Sequence, residues 1–299
     1  MNAVAAELRE ILKGPVLVGE PLRLHTTWRI GGPAGLFITP RNEEELFAAL
    51  RLLTQVGMSW IALGTGSNLL IRDGGFSGAV IHTGALRDME FHEDGSAKVG
   101  GGLPVMRLIR QCVQRGLAGL EELAGIPATV GGAAVMNAGA GKQNLAGVLE
   151  GVFLVGPEGP EYWSCERLDL RYRASAVPSD RIVTAAALRF GRASSELLAK
   201  TVKQRLLARR QAQGVGKPNA GSVFKNPPGF QAWRLIDDCG LRGRTVGGAQ
   251  ISEKHANFII NRGGARASDV LTLIDEIKKK VQKQTGIELE PEIRVIGEA

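Results

Sequence analysis

The chain is poor in the residue types that build staples, metal cages and membrane anchors. It has three cysteines in 299 residues, Cys112, Cys165 and Cys239. They are odd in number, far apart and without a C-x-x-C pair, which argues against a disulfide framework or a thiolate zinc site and suits a reduced cytosolic setting. Aromatic residues make up 5% of the chain, too few for a basic surface interleaved with stacking rings, so no nucleic-acid partner is expected. The four histidines (25, 82, 92 and 255) show no ligand spacing, and no metal is expected. No run of about 18 apolar residues occurs. The opening MNAVAAELREILKG reads as a short amphipathic helix charged at Glu7, Arg9 and Glu10, not as the apolar core of a signal peptide. These absences predict a cytoplasmic protein with no membrane insertion.

Glycine, by contrast, is abundant: 40 residues, many clustered. Such clusters mark backbone that takes positive φ or lies flush against something, so some should be ligand loops. The formal net charge of +7 suits an anionic partner. The basic clusters at 205–210 and 278–283 lie on helical stretches and read equally as solvated helix faces. The length predicts two or three domains. From about Trp28 to Phe190, short β-like runs (37–39, 60–63, 79–82, 151–156) alternate with turns and a few helices. Asn42 is expected to cap a helix running to Val56, and Pro104 to occupy the first position of another. Beyond residue 190 the texture turns helical: a helix capped by Ser194 or Ser195, a short one around Trp233, and one that Ser268 caps and Gly286 ends. The last strand-like run is 292–297.

Three glycine-bearing segments could carry chemistry. LGTGSNLL, 63–70, follows the strand-like WIAL. Gly64 and Gly66 permit a tight turn, while Ser67 and Asn68 add donors of the kind a pyrophosphate needs. It is not a dinucleotide fingerprint, because Leu69 stands where the third glycine belongs, and no Gly-Lys-Ser/Thr follows. A purely structural turn fits it as well. AGIPATVGGAAVMNAGAG, 124–141, is too small-sided to build a core and too apolar for a linker. Its backbone can run against a flat ring, with Thr129 and Asn137 as polar contacts, or pack on a neighbouring helix. PNAGSVFKNPPG, 218–229, sets Ser222 after Gly221, with Lys225 and Asn226 close behind. A serine is so weak an acid that it protonates only a strongly basic carbon; the same residue could also be a turn serine. The absence of G-x-S-x-G argues against a hydrolase nucleophile. Arg173 in LRYRAS could clamp a carboxylate or serve as an ion-pair partner, and Glu292 in PEIRVIG could be a surface charge.

In the order GTGSNLL, AGIPATVGGAAVMNAGA, YRAS, NAGSVFKNP, SEKHANFIIN and PEIRVIG, these segments resemble the UDP-N-acetylenolpyruvoylglucosamine reductase (MurB) family of bacterial cell-wall synthesis, in its shorter, type II form. The resemblance spans Thr26 to Gly297. It implies an α+β fold: a lead-in over 1–25, a PCMH-type (p-cresol methylhydroxylase-like) FAD-binding module of two subdomains over 26–192, a smaller mixed α/β substrate-binding domain over 193–286, and a C-terminal strand over 287–299 returning to the active site. It implies that Gly64, Thr65, Gly66, Ser67, Asn68 and Leu69 line FAD, together with Ile126, Pro127, Thr129, Gly131 and Gly132, and that Asn137 and Gly139 lie nearby. FAD would be non-covalent, since Ser67 and Asn68 occupy the loop that carries a linking histidine in some PCMH-type proteins.

The same resemblance implies NADPH as hydride donor and a UDP-sugar enolpyruvyl ether as substrate. Ser222 would be the proton donor, and Arg173 and Glu292 would stabilise the enolate-like intermediate, Glu292 in protonated form. Arg210 or Lys217 would hold the substrate pyrophosphate, with Lys225, Asn226 and His255 as further substrate contacts. A monomer or weak oligomer is expected. Two positions depart from the family's common pattern: Gly141 and Lys142 stand where a tyrosine is frequent, and Ala212-Gln213-Gly214 replaces Lys-Gln-Pro. Another PCMH-type oxidase of a sugar or alcohol would share the glycine loops without needing NAGSVFKNP. A non-catalytic nucleotide-binding protein is favoured only by the net charge.

Overall fold

The computed structural model describes residues 1–214 and 216–299. Contacts group the chain into two interleaved units, Met1–Val18 with Gly35–Thr65 and Gly78–Ala208, and Gly19–Ala34 with Gly66–Ser77 and Arg209–Ala299. The first glycine loop is therefore divided, Thr65 belonging to one unit and Gly66 to the other.

The first unit has two apolar cores. One is covered by the N-terminal helix Asn2–Ile11 and the helix Glu43–Gln55, packed on a sheet ordered Val16–Val18, Ala34–Ile38, Phe76–His82, Trp60–Leu63. The second helix starts as its sequence demands. Asn42 Oδ1 accepts the Glu45 amide at 2.8 Å, satisfying one otherwise orphaned donor, and three glutamates occupy the positive first turn. Leu46, Leu50 and Leu53 are fully buried on one face, each worth roughly 1.5–3 kcal/mol of burial. Trp60–Leu63 is the strand read from the sequence, residue for residue.

The other core lies under a five-stranded antiparallel sheet ordered Gly159–Ser164, Leu149–Gly156, Ile182–Arg189, Ser96–Gly100, Met89–Phe91. Against it packs the helix Val105–Gln114 through Val105, Leu108, Ile109 and Cys112. Pro104 is its N-cap with extended ψ of 130°, one place earlier than expected. Its fixed φ and missing N–H are tolerated at either position. The three cysteines are free, and burial pushes the Cys112 thiol up to about 12, which makes it a core filler rather than a reactive group.

The second unit is built on a three-stranded antiparallel sheet, Thr245–Val246, Ala249–Ile251 and Ile259–Asn261, with the helices Ala232–Asp238 and Ala267–Thr285. Its core also takes in Trp28, Leu70, Val223, Phe224 and Ile293, from segments distant in sequence. Gly286 ends the long helix in the left-handed region, φ 73°. The expected cap at its start is corrected: Ser268 lies inside the first turn, and the N-cap is Arg266. The Asp73 carboxylate, 194 residues away, accepts the Ala267 amide at 2.8 Å and the Ser268 amide at 3.1 Å. Asp269 Oδ2 accepts the Arg266 amide at 3.0 Å. A carboxylate acceptor outcompetes a serine hydroxyl here because it adds charge to the hydrogen bond at the positive end of the helix.

Candidate active site

Two clusters of candidate residues form, one in each unit. In the first unit Gly64 packs tightly on Thr129: a Cβ there would come within 2.6 Å of Thr129 Oγ1. Thr65 Oγ1 donates to the Pro127 carbonyl at 2.5 Å, tying the first glycine loop to the second. Thr129 is buried and caps the short helix Val130–Val135, its Oγ1 accepting the Gly132 amide at 3.3 Å. Gly131 is buried, while Gly132 on the next position is exposed and Ile126 half-buried. Gly64 and Gly131 are glycine because protein atoms fill the space beside them, Thr129 for the one and the Gly101 and Val183 carbonyls for the other. Gly132, by contrast, leaves bare backbone exposed at the start of the short helix, which fits the close approach of a flat, pyrophosphate-bearing cofactor.

Past that helix the chain forms a hairpin, Gly139–Ala140 paired with Gln143–Asn144. Asn137, buried and left-handed at φ 38°, donates to the Arg171 carbonyl at 3.1 Å and accepts the Ala146 amide at 3.3 Å. Arg173 is also left-handed, φ 57°, an uncommon state for a residue with a Cβ. Its Nη2 donates to the Gly139 carbonyl at 2.9 Å, and its guanidinium lies 5.0 Å from the Tyr172 ring centroid. Ser175 Oγ donates to the Val135 carbonyl at 2.8 Å. The LRYRAS segment is therefore stitched to the alanine–glycine segment at three points, through Arg171, Arg173 and Ser175.

In the second unit, the segment that follows Ser222 runs alongside the one that carries Glu292. Residues 223–225 run antiparallel to 290–292: the Glu292 amide donates to the Val223 carbonyl at 2.7 Å and the Lys225 amide to the Glu290 carbonyl at 2.9 Å. Gly221 takes φ 73°, and Asn219 Oδ1 accepts its amide at 2.9 Å, so an Asx turn sets the backbone just before Ser222. Ser222 and Glu292 are both half-buried. The strand Arg294–Ile296 pairs in parallel with Leu69–Ile71, the strand that leaves the first glycine loop. Asn68 joins the two directly, its carbonyl accepting the Arg294 amide at 2.9 Å and its Nδ2 donating to the Glu292 carbonyl at 3.2 Å. Gly66 is pressed against the backbone of His25 and Thr26, where a Cβ would meet the His25 carbonyl at 2.3 Å. Gly66, Ser67, Asn68, Leu69, Ser222 and Glu292 thus belong to one unit although up to 226 positions separate them.

The expected substrate residues have mixed settings. Lys225 Nζ pairs with Glu290 Oε1 at 2.6 Å. Asn226 Oδ1 accepts the Ala232 amide at 3.0 Å, at the start of the helix Ala232–Asp238. Arg210 and Lys217 are exposed. His255 stands beside Phe258 and Trp233, with ring centroids at 4.5 and 6.2 Å. Its Nδ1 is buried without a hydrogen-bond partner among the described residues. Burial, reinforced by the nearby Arg242 guanidinium, holds the ring's pKa below the usual value of 6.5. The unfolded chain takes up this proton near pH 6.5 and the folded chain only lower, so His255 supports stability above pH 6.5 and loses that support as pH falls through its folded pKa. His255→Gln should flatten the loss of urea resistance below pH 6.5. An unchanged acid limb would contradict this assignment.

One residue of the site was missed in the sequence. Asn257, buried within SEKHANFIIN, grips Phe224 from both sides: its Oδ1 accepts the Phe224 amide at 2.9 Å and its Nδ2 donates to the Phe224 carbonyl at 2.8 Å. Its own carbonyl accepts the Val223 amide at 2.9 Å. An amide side chain embedded in an apolar run is a signal that it serves a buried backbone partner.

Comparison with known proteins agrees with these features. The family profile described as "FAD binding domain" matches residues 34–160, and that described as "UDP-N-acetylenolpyruvoylglucosamine reductase, C-terminal domain" matches residues 213–296. A BBE-like 1 variant from Physcomitrella patens shares the fold at 16% identity, with a TM-score of 0.51 over 63% of this chain and 44% of that one. Fold and site define an FAD-dependent oxidoreductase of α+β architecture, with a PCMH-type FAD-binding module and a smaller mixed α/β part. A UDP-N-acetylenolpyruvoylglucosamine reductase from Syntrophotalea carbinolica is 70% identical over 299 residues, all of both chains. One from Geobacter sulfurreducens is 43% identical over 297 residues, 99% of each. The crystal structure of the Thermus caldophilus enzyme (MurB) matches at 36% identity and a TM-score of 0.81, covering 95% of this chain and 99% of that one. The chain belongs to the UDP-N-acetylenolpyruvoylglucosamine reductase family. Among the described residues, no helix is long and apolar enough to cross a membrane.

Proposed function

We propose that this protein reduces the enolpyruvyl double bond of UDP-N-acetylglucosamine enolpyruvate to give UDP-N-acetylmuramate, in the bacterial cytoplasm and with NADPH as reductant. Full-length identity of 70% to a named reductase is the observation that carries this reading. The segment 26–192 would hold FAD without a covalent bond, 193–286 would bind the sugar nucleotide, and 287–299 would complete the site. FAD is assigned to Gly64, Thr65, Gly66, Ser67, Asn68 and Leu69 and to Ile126, Pro127, Thr129, Gly131 and Gly132, with Asn137 and Gly139 nearby. Its chemistry, when bound, is to take a hydride from NADPH and pass one to the terminal methylene carbon of the substrate.

The protein's own groups handle the charge and the proton. Negative charge accumulates on the substrate as an enolate conjugated with its carboxylate. Arg173 offsets that charge; fixed cations of this kind act most strongly where water is excluded. Glu292 assists as a hydrogen-bond donor, which requires its protonated form. Ser222 gives its hydroxyl proton to the adjacent carbon, a step open to so weak an acid because the carbanion is strongly basic. The pyrophosphate falls to Arg210 or Lys217, and Lys225, Asn226 and His255 contribute to sugar-nucleotide binding.

Purified protein should be yellow, bleach with NADPH without oxygen, and regain its colour when the enolpyruvyl sugar nucleotide is added. A colourless protein that takes up no added FAD would overturn the reading. So would bleached protein whose colour the enolpyruvyl substrate fails to restore.

A further inference from the structure

The hairpin that holds Arg173 is itself held by a residue with no assigned role. Glu122 is largely buried, its side chain 14% exposed, and both its carboxylate oxygens are engaged. Oε2 accepts the amide of Lys142, at the hairpin's tip, at 2.9 Å. Oε1 accepts Arg205 Nη2 at 2.5 Å. The backbone amide of Glu122 donates to Gln143 Oε1 at 2.9 Å, a second tie to the same hairpin. The fit is close. Gly141 takes φ 57°, and a Cβ on it would lie 1.6 Å from Glu122 Oε2, so the carboxylate fills the space a side chain at 141 would need.

The hairpin register transmits this anchoring. Gln143 faces Ala140 and Asn144 faces Gly139, and the Gly139 carbonyl receives the Arg173 guanidinium at 2.9 Å. Arg173 also sits in a left-handed backbone conformation, which persists only where its surroundings hold it. We propose that Glu122 is a positioning residue for Arg173: by holding the tip of the 139–144 hairpin, it fixes the carbonyl that aims the guanidinium. The proposal rests on Arg173 being the cation that stabilises charge on the substrate.

A double-mutant cycle tests it on the FAD-loaded protein, with the two half-reactions followed separately by flavin absorbance. Glu122→Ala should leave bleaching by NADPH and flavin content unchanged. It should slow reoxidation by the enolpyruvyl sugar nucleotide roughly 10- to 100-fold, the effect of misplacing one group by about an ångström. In an Arg173→Ala background the same change should add nothing, because the positioned group is gone. Glu122→Gln keeps an oxygen for the Lys142 amide and should recover most of the rate. Gly141→Ala drives the carboxylate off that amide and should reproduce the defect, should Glu122→Ala fold poorly. Equal slowing of both half-reactions, or effects that multiply with Arg173→Ala, would overturn the proposal. If Arg173→Ala alone leaves reoxidation intact, the reading of Arg173 fails, and this inference with it.

Discussion

Ser222→Ala is expected to leave bleaching by NADPH intact while slowing reoxidation by the enolpyruvyl sugar nucleotide about 10³-fold, within the range a positioned general acid supplies. The substitution separates chemistry from folding because the local structure does not depend on the hydroxyl. The turn is set by Gly221 at φ 73° and by Asn219, whose Oδ1 takes the Gly221 amide. The following residues are held by backbone hydrogen bonds to Asn257 and Glu292. Ser222 is only half-buried, so losing one oxygen leaves no cavity of consequence. Stopped-flow absorbance of each half-reaction reads the outcome. Equal slowing of both would make Ser222 a binding or folding residue and sink the proton-donor assignment.

The largest effect on stability is expected at Asn257. Its side chain is buried and satisfies both the amide and the carbonyl of Phe224, itself 1% exposed in the core of the second unit. Asn257→Ala leaves two buried backbone groups unpaired, at about 1–3 kcal/mol each. The urea midpoint should fall accordingly, and reoxidation by the substrate should slow as well, because Phe224 lies two residues from Ser222. Asn257→Asp should not rescue, since a carboxylate accepts from the Phe224 amide but faces its carbonyl with no donor. A midpoint within experimental scatter of the parent protein would show that the clamp contributes nothing. Glu292→Gln offers a milder contrast: an amide still donates, so substantial activity should survive, with the pH dependence of reoxidation altered.

Much of the fold was legible because its signals are local. Asn42 before three glutamates and an apolar stripe specifies a helix start through backbone chemistry within one turn. Gly286 specifies a helix end for the same reason. WIAL, bounded by Ser59 and Gly64, reads as a strand because only its immediate neighbours matter. The helix Ala267–Thr285 shows where this reasoning stops. Its apolar spacing was visible and Asp269 caps it locally, but the second carboxylate at its N-terminus comes from Asp73, which no local pattern ties to it.

The candidate site divides in the same way. By itself the sequence determined the chemistry on offer: small-residue loops with room for a flat cofactor, a serine after a glycine, an arginine and a glutamate, in an order shared with one family. Only the tertiary structure decided which of them meet. Glu292 lies beside the Ser222 loop, and Asn68 beside Glu292, because parallel pairing of Arg294–Ile296 with Leu69–Ile71 carries the C-terminal strand there. Arg173 takes its direction from Gly139, and the two glycines of GTG fall into different contact units. Each of these joins has a backbone amide or carbonyl on at least one side, and nearly every residue carries the same ones, so the sequence leaves little mark of which backbone partner closure of the fold will choose.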